Sequence, residues 1–358
     1  MIAHLDLDAF FAAVEMHRNP HLRNRPLVVG GDPDGRGVVA TANYAARTHG
    51  VRSAMSCAEA RRRCTDVVFI RPDIEEYRSW SERVWEVVGD QVDVVERLGL
   101  DEGYLLLTAQ DPAAQARAVQ LAVARRVRLS ASLGVATTKV VAKIASDRDK
   151  PGGLTMVPPG TEAAFLAPLP LRALPGAGPR TVQRLDALGI TTIGELAAMP
   201  AAQRAAALPG VVGMQLWERA HGIDPRPVLA QPAARLSIST EETFARDVTD
   251  VDALMDRCRE MSGQVAGHLR ARGRCARTVT IKLRDTRFRT VTRAHTLAAA
   301  TDDAEVILLH AGRLVRQVLA AGPGPVRLLG VGVAGLTGTH QLSLFASASS
   351  ASSASTAS

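Results

Sequence analysis

The chain has 358 residues, of which 46% are hydrophobic and 22% charged, a balance typical of soluble globular proteins with about two to four domains. No apolar stretch reaches the ~18 residues that span a bilayer, and the N-terminus lacks a signal-peptide pattern. The net charge of +7 suggests a polyanionic partner, and the four cysteines form no CxxC pair, so we expect a cytoplasmic protein with reduced thiols.

The first half of the chain predicts strands and helices in an irregular order. Residues 2–8 predict a strand with Ile2, His4, Asp6 and Asp8 on one face, and Asp8 is expected to cap a helix that begins near Phe10. Further strands are expected at 25–31, 36–41, 94–98, 103–107 and 130–134, and helices at 74–92 and 112–128. Such mixing indicates an α+β fold rather than a doubly wound one.

The second half changes in character at about residue 168, where short helices alternate with Gly and Pro turns. A proline-rich stretch near 225–233 predicts a linker. Residues 237–336 then predict the order βαββαβ, with strands around 238–244, 276–284, 289–297 and 326–335 and helices around 250–271 and 302–321. The Ser/Ala-rich stretch 346–358 is expected to be disordered.

Three carboxylates interrupt apolar strands. Asp6 lies within one predicted strand, and Asp101 and Glu102 lie between two others. An unpaired charge in such a place is costly, so these side chains either bind a cation such as Mg²⁺ or form buried salt bridges with Lys or Arg. These three residues alone leave the two interpretations equally weighted.

A basic segment between Arg270 and Arg293 contains nine basic residues and one acid, Asp285. It is either a solvated face or a surface that follows nucleic-acid phosphates. The chain has no GxxxxGK[ST] motif, which argues against a P-loop ATPase. The nine histidines show no metal-ligand spacing, and most are expected to be surface or capping residues.

Several long motifs resemble the Y-family DNA polymerases, in particular the bacterial DNA polymerase IV (DinB-type) group. They are, in order, LDLDAFFAAVE at 5–15, VVATANYAARTHGVRSAM at 38–55, LGLDEGYL at 98–105 and SLGVATTKVVAKIASDRDKPGGL at 132–154. The resemblance continues through PLRALPGAGPRTVQRLDALGITTIGEL at 170–196 and LWERAHGID at 216–224, and it covers about residues 1–345.

This resemblance implies a right-hand polymerase of several domains. The palm would comprise 1–10 and 75–167, the small fingers 11–74, and a helical thumb with a helix-hairpin-helix turn 168–230. A linker at 231–236 would lead to a βαββαβ little finger at 237–338, followed at 339–358 by a clamp-binding peptide and a disordered tail.

The resemblance also implies the chemistry. Asp6, Asp101 and Glu102, with the backbone carbonyl of Leu7, would ligate two Mg²⁺ ions, and Asp101 and Glu102 would be the catalytic carboxylates. The primer 3′-hydroxyl would attack the α-phosphate of a dNTP, with catalysis by positioning and charge neutralisation.

The nucleotide would be held by four residues and selected by a fifth. Tyr44, Arg47 and Lys150 match the residues that grip the triphosphate, with Thr41 nearby. Tyr44 and Arg47 are three residues apart and therefore share one helix face. Phe11 matches a steric gate that clashes with a ribose 2′-hydroxyl, whereas Phe10 is expected in the core.

DNA and protein partners follow from the same resemblance. Gly176 and Gly178 belong to the hairpin turn, which alone could equally be an ordinary helix–helix turn, and would contact the DNA backbone. The basic strands, including Arg284, Arg287 and Arg289, would contact phosphates. Gln341, Leu342, Leu344 and Phe345 match a peptide that binds the sliding clamp (the β subunit); the alternative is a last strand packed on its own domain.

The resulting hypothesis is a monomeric, low-fidelity translesion polymerase that acts on primer-template DNA and dNTPs in the bacterial cytoplasm, associated with the nucleoid. A clamp-tethered accessory factor without catalysis is the main rival, and a two-metal nuclease is the third interpretation. The chain has Gly99, Gly103, Leu106 and Thr138 where many relatives have Ser, Ala, Asp and Asn. We expect activity to survive and the two glycines to loosen the turn that presents Asp101 and Glu102.

Overall fold

The computed structural model describes residues 1–230, 235–322 and 324–338, and the chain divides into two units, Met1–Pro232 and Ala233–Ser358. The strands of the first unit are β1 Ile2–Leu7, β2 Leu27–Gly30, β3 Val39–Ala42, β4 Val68–Ile70, β5 Val95–Arg97, β6 Glu102–Leu106, β7 Ala131–Ala136 and β8 Leu154–Met156. Its α-helices are α1 Phe10–Arg18, α2 Tyr44–Thr48, α3 Cys57–Arg63, α4 Ile74–Gly89, α5 Pro112–Arg126, α6 Lys139–Ser146, α7 Glu162–Leu166, α8 Pro179–Asp186, α9 Ile193–Ala197, α10 Ala201–Ala207 and α11 Gly210–Ala220.

Strand β1 is the centre of a five-stranded sheet with the order β5-β6-β1-β7-β8. It pairs antiparallel with both β6 and β7, and β7 pairs parallel with β8. Ala3, Leu5 and Leu7 are at most 2% exposed and pack in one core with the apolar residues of α4 and α5. Because side chains alternate along a strand, His4 and Asp6 lie on the opposite face, towards α6.

A second sheet has the order β3-β2-β4 and packs with α2 and α3 in a separate small core. The sequence did not predict β4 or β8, which are three residues long each. Helix α2 is capped by Asn43, whose side-chain oxygen accepts a hydrogen bond from the Ala46 amide at 2.9 Å. This cap fixes the start of the helix that carries Tyr44 and Arg47.

The helices from α7 to α11 pack around a third core to which α6 also contributes. Leu166, Leu171, Leu185 and Leu196 are at most 1% exposed in it. Turns separate these helices, as the Gly and Pro punctuation predicts. The finer division of the first unit into palm, fingers and thumb stays a prediction.

The second unit contains β9 Ser237–Val248, α12 Val251–Arg270, β10 Arg274–Asp285, β11 Thr290–Thr301, α13 Ala304–Ala320 and β12 Val326–Gly338. Its sheet has the order β11-β10-β12-β9 and is antiparallel throughout. Val279, Ile281 and Leu283 face α12 and α13, so Lys282 and Arg284 lie on the other face of the sheet.

The α+β class and the βαββαβ order of the second unit are confirmed. No helix in the described ranges is long and apolar enough to cross a membrane. The four cysteines are free and buried. Residues 231–234 of the predicted linker and residues 339–358, with the predicted clamp peptide, lie outside the described residues.

Candidate active site

The predicted metal ligands meet at one end of β1 and β6. Asp6 lies opposite Glu102 in this antiparallel pair, so the two side chains share one face of the sheet. Asp101 immediately precedes β6, and its carbonyl accepts a hydrogen bond from the Leu7 amide at 2.9 Å. The backbone therefore brings Asp6, Leu7, Asp101 and Glu102 together, although the two acidic segments are far apart in sequence.

Negative charge accumulates at this place. Burial, and then the charges of Asp6 and Glu102, raise the pKa of Asp101 to about 6. Burial also raises the pKa of Asp6, and it outweighs the opposing effect of Lys150. A partly desolvated group of carboxylates favours a cation that replaces the lost hydration.

Two lysines and a histidine contact two of these carboxylates, Asp6 and Glu102, in the structure. The Lys150 ammonium lies 2.8 Å from Asp6 Oδ1, and the Lys143 ammonium pairs with Glu102 Oε2. His4 Nε2 lies 3.3 Å from Glu102 Oε2. Hydrogen bonding to His4 and to Lys143 lowers the pKa of Glu102 to about 2. The ion pairs that the sequence left open as an alternative are thus formed.

His4 is an exception to the expectation that most histidines are surface or capping residues. It is 0% exposed, and its Nδ1 lies 2.8 Å from the Ser146 hydroxyl on α6. Burial lowers its pKa, so the ring is neutral at pH 7 and orients Glu102 through a hydrogen bond. Its position on the same face of β1 as Asp6 was the available sequence signal.

The donor chemistry fits Mg²⁺, which prefers carboxylate and carbonyl oxygens. Within the described ranges, however, no three His, Cys, Asp or Glu side chains stand grouped as a formed metal site. Lys150 and Lys143 each pair with one of the three carboxylates in the structure.

Helix α2 presents two of the predicted nucleotide ligands. The Arg47 guanidinium lies over the Tyr44 ring, 4.9 Å from its centroid, and Arg47 Nε donates to the Ala42 carbonyl at 2.9 Å. Burial, followed by the nearby Asp8 charge, raises the pKa of Tyr44 to about 12. Thr41 is half-buried in β3, directly before this helix. The three residues therefore occupy one continuous segment.

Asp8 does not cap α1, contrary to prediction. The residue before the helix is Ala9, which has φ of 47° and makes no side-chain cap. The carboxylate of Asp8 instead accepts hydrogen bonds from other segments, including one from the Tyr44 hydroxyl at 3.3 Å. Longer-range donors outcompete the local capping interaction.

Phe11 rests on a second aromatic ring. It stacks on Tyr77 with centroids 4.3 Å apart and an angle of 14° between the planes. The Tyr77 hydroxyl donates to the buried Glu15 carboxylate at 2.8 Å. Phe10 is 1% exposed and belongs to the core, as expected. The ring of Phe11 thus has a fixed support, which a steric gate requires.

The turn that presents Asp101 is tightly anchored, which corrects the expected loosening by Gly103. A Cβ at Gly103 would lie 2.7 Å from Trp85 Cη2 and 2.8 Å from the Glu96 carbonyl. The Leu100 carbonyl also accepts hydrogen bonds from Ser81 and, at 3.3 Å, from Trp85 Nε1. Gly103 therefore permits close packing against Trp85 and does not loosen the turn.

Gly99 and Thr138, two other positions at which the chain differs from many relatives, have neighbours that the structure defines. A Cβ at Gly99 would contact only Asp101 Oδ1, at an ordinary 3.7 Å. The Thr138 hydroxyl donates to the Gly222 carbonyl at 3.0 Å rather than capping α6. Leu106 is half-buried at the end of β6, and nothing in the structure explains its departure.

The predicted hairpin turn is fixed by a neighbouring helix. Gly176 has φ of 98°, a left-handed conformation that favours glycine. Arg219 of α11 donates to the Pro175 carbonyl at 2.9 Å. Helix α8 begins at Pro179, directly after Gly178, without a side-chain cap; the amides that follow Pro179 form a helix N-terminus of the kind that binds anions.

Asp285, the one acid in the basic segment, organises a turn between β10 and β11. It is 6% exposed and accepts hydrogen bonds from the Arg287 and Arg289 amides, both at 2.9 Å. Arg289 Nε also donates to it at 2.7 Å, while Arg284 Nε donates to the Thr290 hydroxyl at 2.8 Å. The side chains of Arg287 and Arg289 are exposed beside this turn.

The fold is that of a Y-family DNA polymerase. A structure titled Y-family DNA polymerase chimera Dbh-Dpo4(243-245)-Dbh superposes with a TM-score of 0.85 at 23% identity and covers 94% of this chain and 99% of its own. The structure of DinB from Sulfolobus solfataricus gives a TM-score of 0.63 at 22% identity, and the match covers 93% of this chain and 98% of that chain. At these identities the likeness concerns the fold alone.

Sequence comparison defines the group more closely. The impB/mucB/samB family matches residues 5–147, and its C-terminal domain matches residues 235–344. DNA polymerase IV of Halorhodospira halophila is 42% identical over 94% of this chain and 95% of its own length. DNA polymerase IV of Streptomyces coelicolor is 42% identical over 97% of this chain and 73% of its own length. The chain belongs to the impB/mucB/samB family, in its DNA polymerase IV group, and is a DNA-directed DNA polymerase of the translesion type.

Proposed function

We propose that the chain extends a primer 3′ end by nucleotidyl transfer supported by two Mg²⁺ ions, which Asp6, Asp101, Glu102 and the Leu7 carbonyl would hold. The observation that carries this proposal is the meeting of three partly buried carboxylates at the end of β1 and β6. The bound ions would supply charge stabilisation to the attacking and leaving oxygens.

The lysines contribute by changing partners. Lys150 holds Asp6 at 2.8 Å and Asp147 at 2.8 Å. With Asp6 as a metal ligand, this ammonium would be available to the phosphate oxygens of a triphosphate. Tyr44 and Arg47 approach the same ligand from α2, where Arg47 offers a planar donor group for phosphate oxygens.

Glu102 acts as a ligand rather than as a general base. Its pKa of about 2 makes it a weak proton acceptor at neutral pH. His4 and Lys143 stabilise its ionised form, which is the form that binds metal. Phe11, supported by Tyr77, excludes the 2′-hydroxyl of a ribonucleotide.

DNA binding is assigned to two elements. The amides at the start of α8, after Gly176 and Gly178, would contact a backbone phosphate. In the second unit Arg284, Arg287 and Arg289 would contact phosphates without reading bases. The peptide Gln341, Leu342, Leu344 and Phe345 would tether a monomeric enzyme to the sliding clamp in the cytoplasm, close to the nucleoid.

Primer extension on a defined template tests the proposal. The wild type should extend with Mg²⁺ and single dNTPs, and Asp101→Ala/Glu102→Ala should bind the same DNA, measured by fluorescence anisotropy, without extending it. Glu82→Ala removes an exposed carboxylate that pairs only at the surface with Arg97 and should behave as wild type. Extension by the double variant would sink the mechanism, whereas a wild type that binds the DNA without extending it would favour the non-catalytic accessory factor.

A further inference from the structure

Asp8 has a buried carboxylate whose two oxygens are both fully engaged. It is 5% exposed. Oδ1 accepts from the Ser132 hydroxyl at 2.8 Å and from the Tyr44 hydroxyl at 3.3 Å. Oδ2 accepts from the Ser130 hydroxyl at 2.6 Å and from the Gly152 amide at 2.8 Å. Four donors thus surround one carboxylate.

These donors come from separate parts of the first unit. Ser132 lies in β7 with Ser130 just before it, Tyr44 opens α2, and Gly152 follows Lys150 by two residues. Two of the three segments therefore carry side chains proposed to grip the triphosphate. Gln120 supports the same loop from α5, with its amide donating to the carbonyls of Gly152 at 3.0 Å and Gly153 at 3.1 Å.

We propose that Asp8 is a positioning residue for the incoming nucleotide, which fixes the Tyr44 hydroxyl and the loop of Lys150 relative to the end of β1. The inference rests on the proposed function, because it concerns the same nucleotide site. Asp8 acts through its neighbours and is neither a metal ligand nor a catalytic residue. Its loss should weaken dNTP binding, while the carboxylates on β1 and β6 keep their own partners.

The chemistry of the donors makes the proposal specific. Three of the four are hydroxyl groups, which both donate and accept, whereas the Gly152 amide only donates. An asparagine whose oxygen faces Ser130 and Gly152 would place its NH₂ towards Ser132 and Tyr44, whose hydroxyls then accept. Asp8→Asn should therefore keep the arrangement, and Asp8→Ala should lose it.

Steady-state kinetics of single-nucleotide insertion test this. Asp8→Ala should raise the KM for dNTP on the order of tenfold, the effect of lost hydrogen bonds to a charged group, and change kcat much less. Asp8→Asn should stay within about threefold of wild-type KM, and Tyr44→Phe should raise KM in the wild type but add nothing to Asp8→Ala. Mn²⁺ affinity, measured by electron paramagnetic resonance, should be unchanged in Asp8→Ala.

The control is Asp111→Ala, which removes the cap of α5, where Asp111 accepts from the Ala114 amide at 2.9 Å. It should lower the melting temperature with KM unchanged. A similar pattern for Asp8→Ala would reduce Asp8 to a structural role, and loss of Mn²⁺ affinity would make it a metal ligand; both results overturn the proposal. If Asp8→Ala does not fold, Ser132→Ala and Ser130→Ala remove single donors, and unchanged KM in both overturns it equally.

The two proposals fail separately. Extension by Asp101→Ala/Glu102→Ala would refute the carboxylate mechanism and leave the nucleotide kinetics of Asp8→Ala open to measurement. If the carboxylate variants are inactive and Asp8→Ala has a wild-type KM, only the inference on Asp8 is wrong.

Discussion

Single residues at this site are defined by their partners more than by their own chemistry. Asp6, Asp101 and Glu102 are all acids at the end of one strand pair, yet burial raises the pKa of the first two and hydrogen bonds lower that of Glu102. The sequence showed the three acids and their resemblance to the metal ligands of Y-family polymerases. It did not show that His4, Lys143 and Asp8 complete the site, because each reaches its partner only through folding.

The first prediction concerns pH and metal affinity. The pKa of Asp101, raised from 3.8 to about 6, means that a proton competes with metal below pH 6. Mn²⁺ affinity, measured by isothermal titration calorimetry, should be about tenfold weaker at pH 5 than at pH 7.5. In Asp101→Asn the affinity should be low at both pH values. An affinity that is equal at pH 5 and pH 7.5 in the wild type would contradict this role.

The second prediction concerns sugar selection. Phe11→Ala removes the ring that stacks on Tyr77 and should admit ribonucleotides, with discrimination reduced on the order of a hundredfold or more. The measurement is kcat/KM for a dNTP and its ribonucleotide counterpart on one template. Phe165→Ala, outside this site, provides the comparison. Unchanged selectivity in Phe11→Ala would remove Phe11 from the role of gate.

At the scale of elements, the turn between β5 and β6 and helix α4 fit each other closely. Gly103 leaves room for the Trp85 ring, and Trp85 in turn donates to the Leu100 carbonyl. The sequence predicted both strands and the helix to within a few residues. It misjudged Gly103, since the space beside this glycine depends on the side chain of Trp85, 18 residues earlier in the chain.

The third prediction tests this packing. Gly103→Ala should lower the free energy of unfolding by about 1–3 kcal/mol, because the added methyl group meets Trp85 and the Glu96 carbonyl. Gly99→Ala, which meets no close neighbour, should change it by less than about 0.5 kcal/mol. Urea unfolding gives both values. Equal stability of the two variants would show that the turn accommodates a methyl group freely.

At the scale of the whole molecule, the chain combines a unit that carries the carboxylates with a smaller unit that carries the whole basic segment. The α+β class and the βαββαβ order could be predicted, because regular elements and long motifs carry that information. The convergence of Asp8 with Tyr44, Ser132 and Gly152 could not, since it depends on contacts between segments 36 to 144 residues apart.

The fourth prediction concerns clamp binding. Deletion of residues 341–345 should abolish binding to the sliding clamp, measured by surface plasmon resonance, and should leave clamp-free primer extension unchanged. Deletion of residues 349–353, which are Ala and Ser, should affect neither. Clamp binding by the first deletion variant, or a marked fall in its melting temperature, would favour a last strand packed on its own domain.

Strand β1 divides its residues between the core and the site according to whether their numbers are odd or even. Ala3, Leu5 and Leu7 are buried in the core, while His4 and Asp6, followed by Asp8 beyond the strand, serve the opposite face. A one-residue insertion near the start of the strand would exchange these two sets, burying carboxylates among leucines. The segment should therefore tolerate no change in length, a constraint that insertion and deletion libraries would reveal directly.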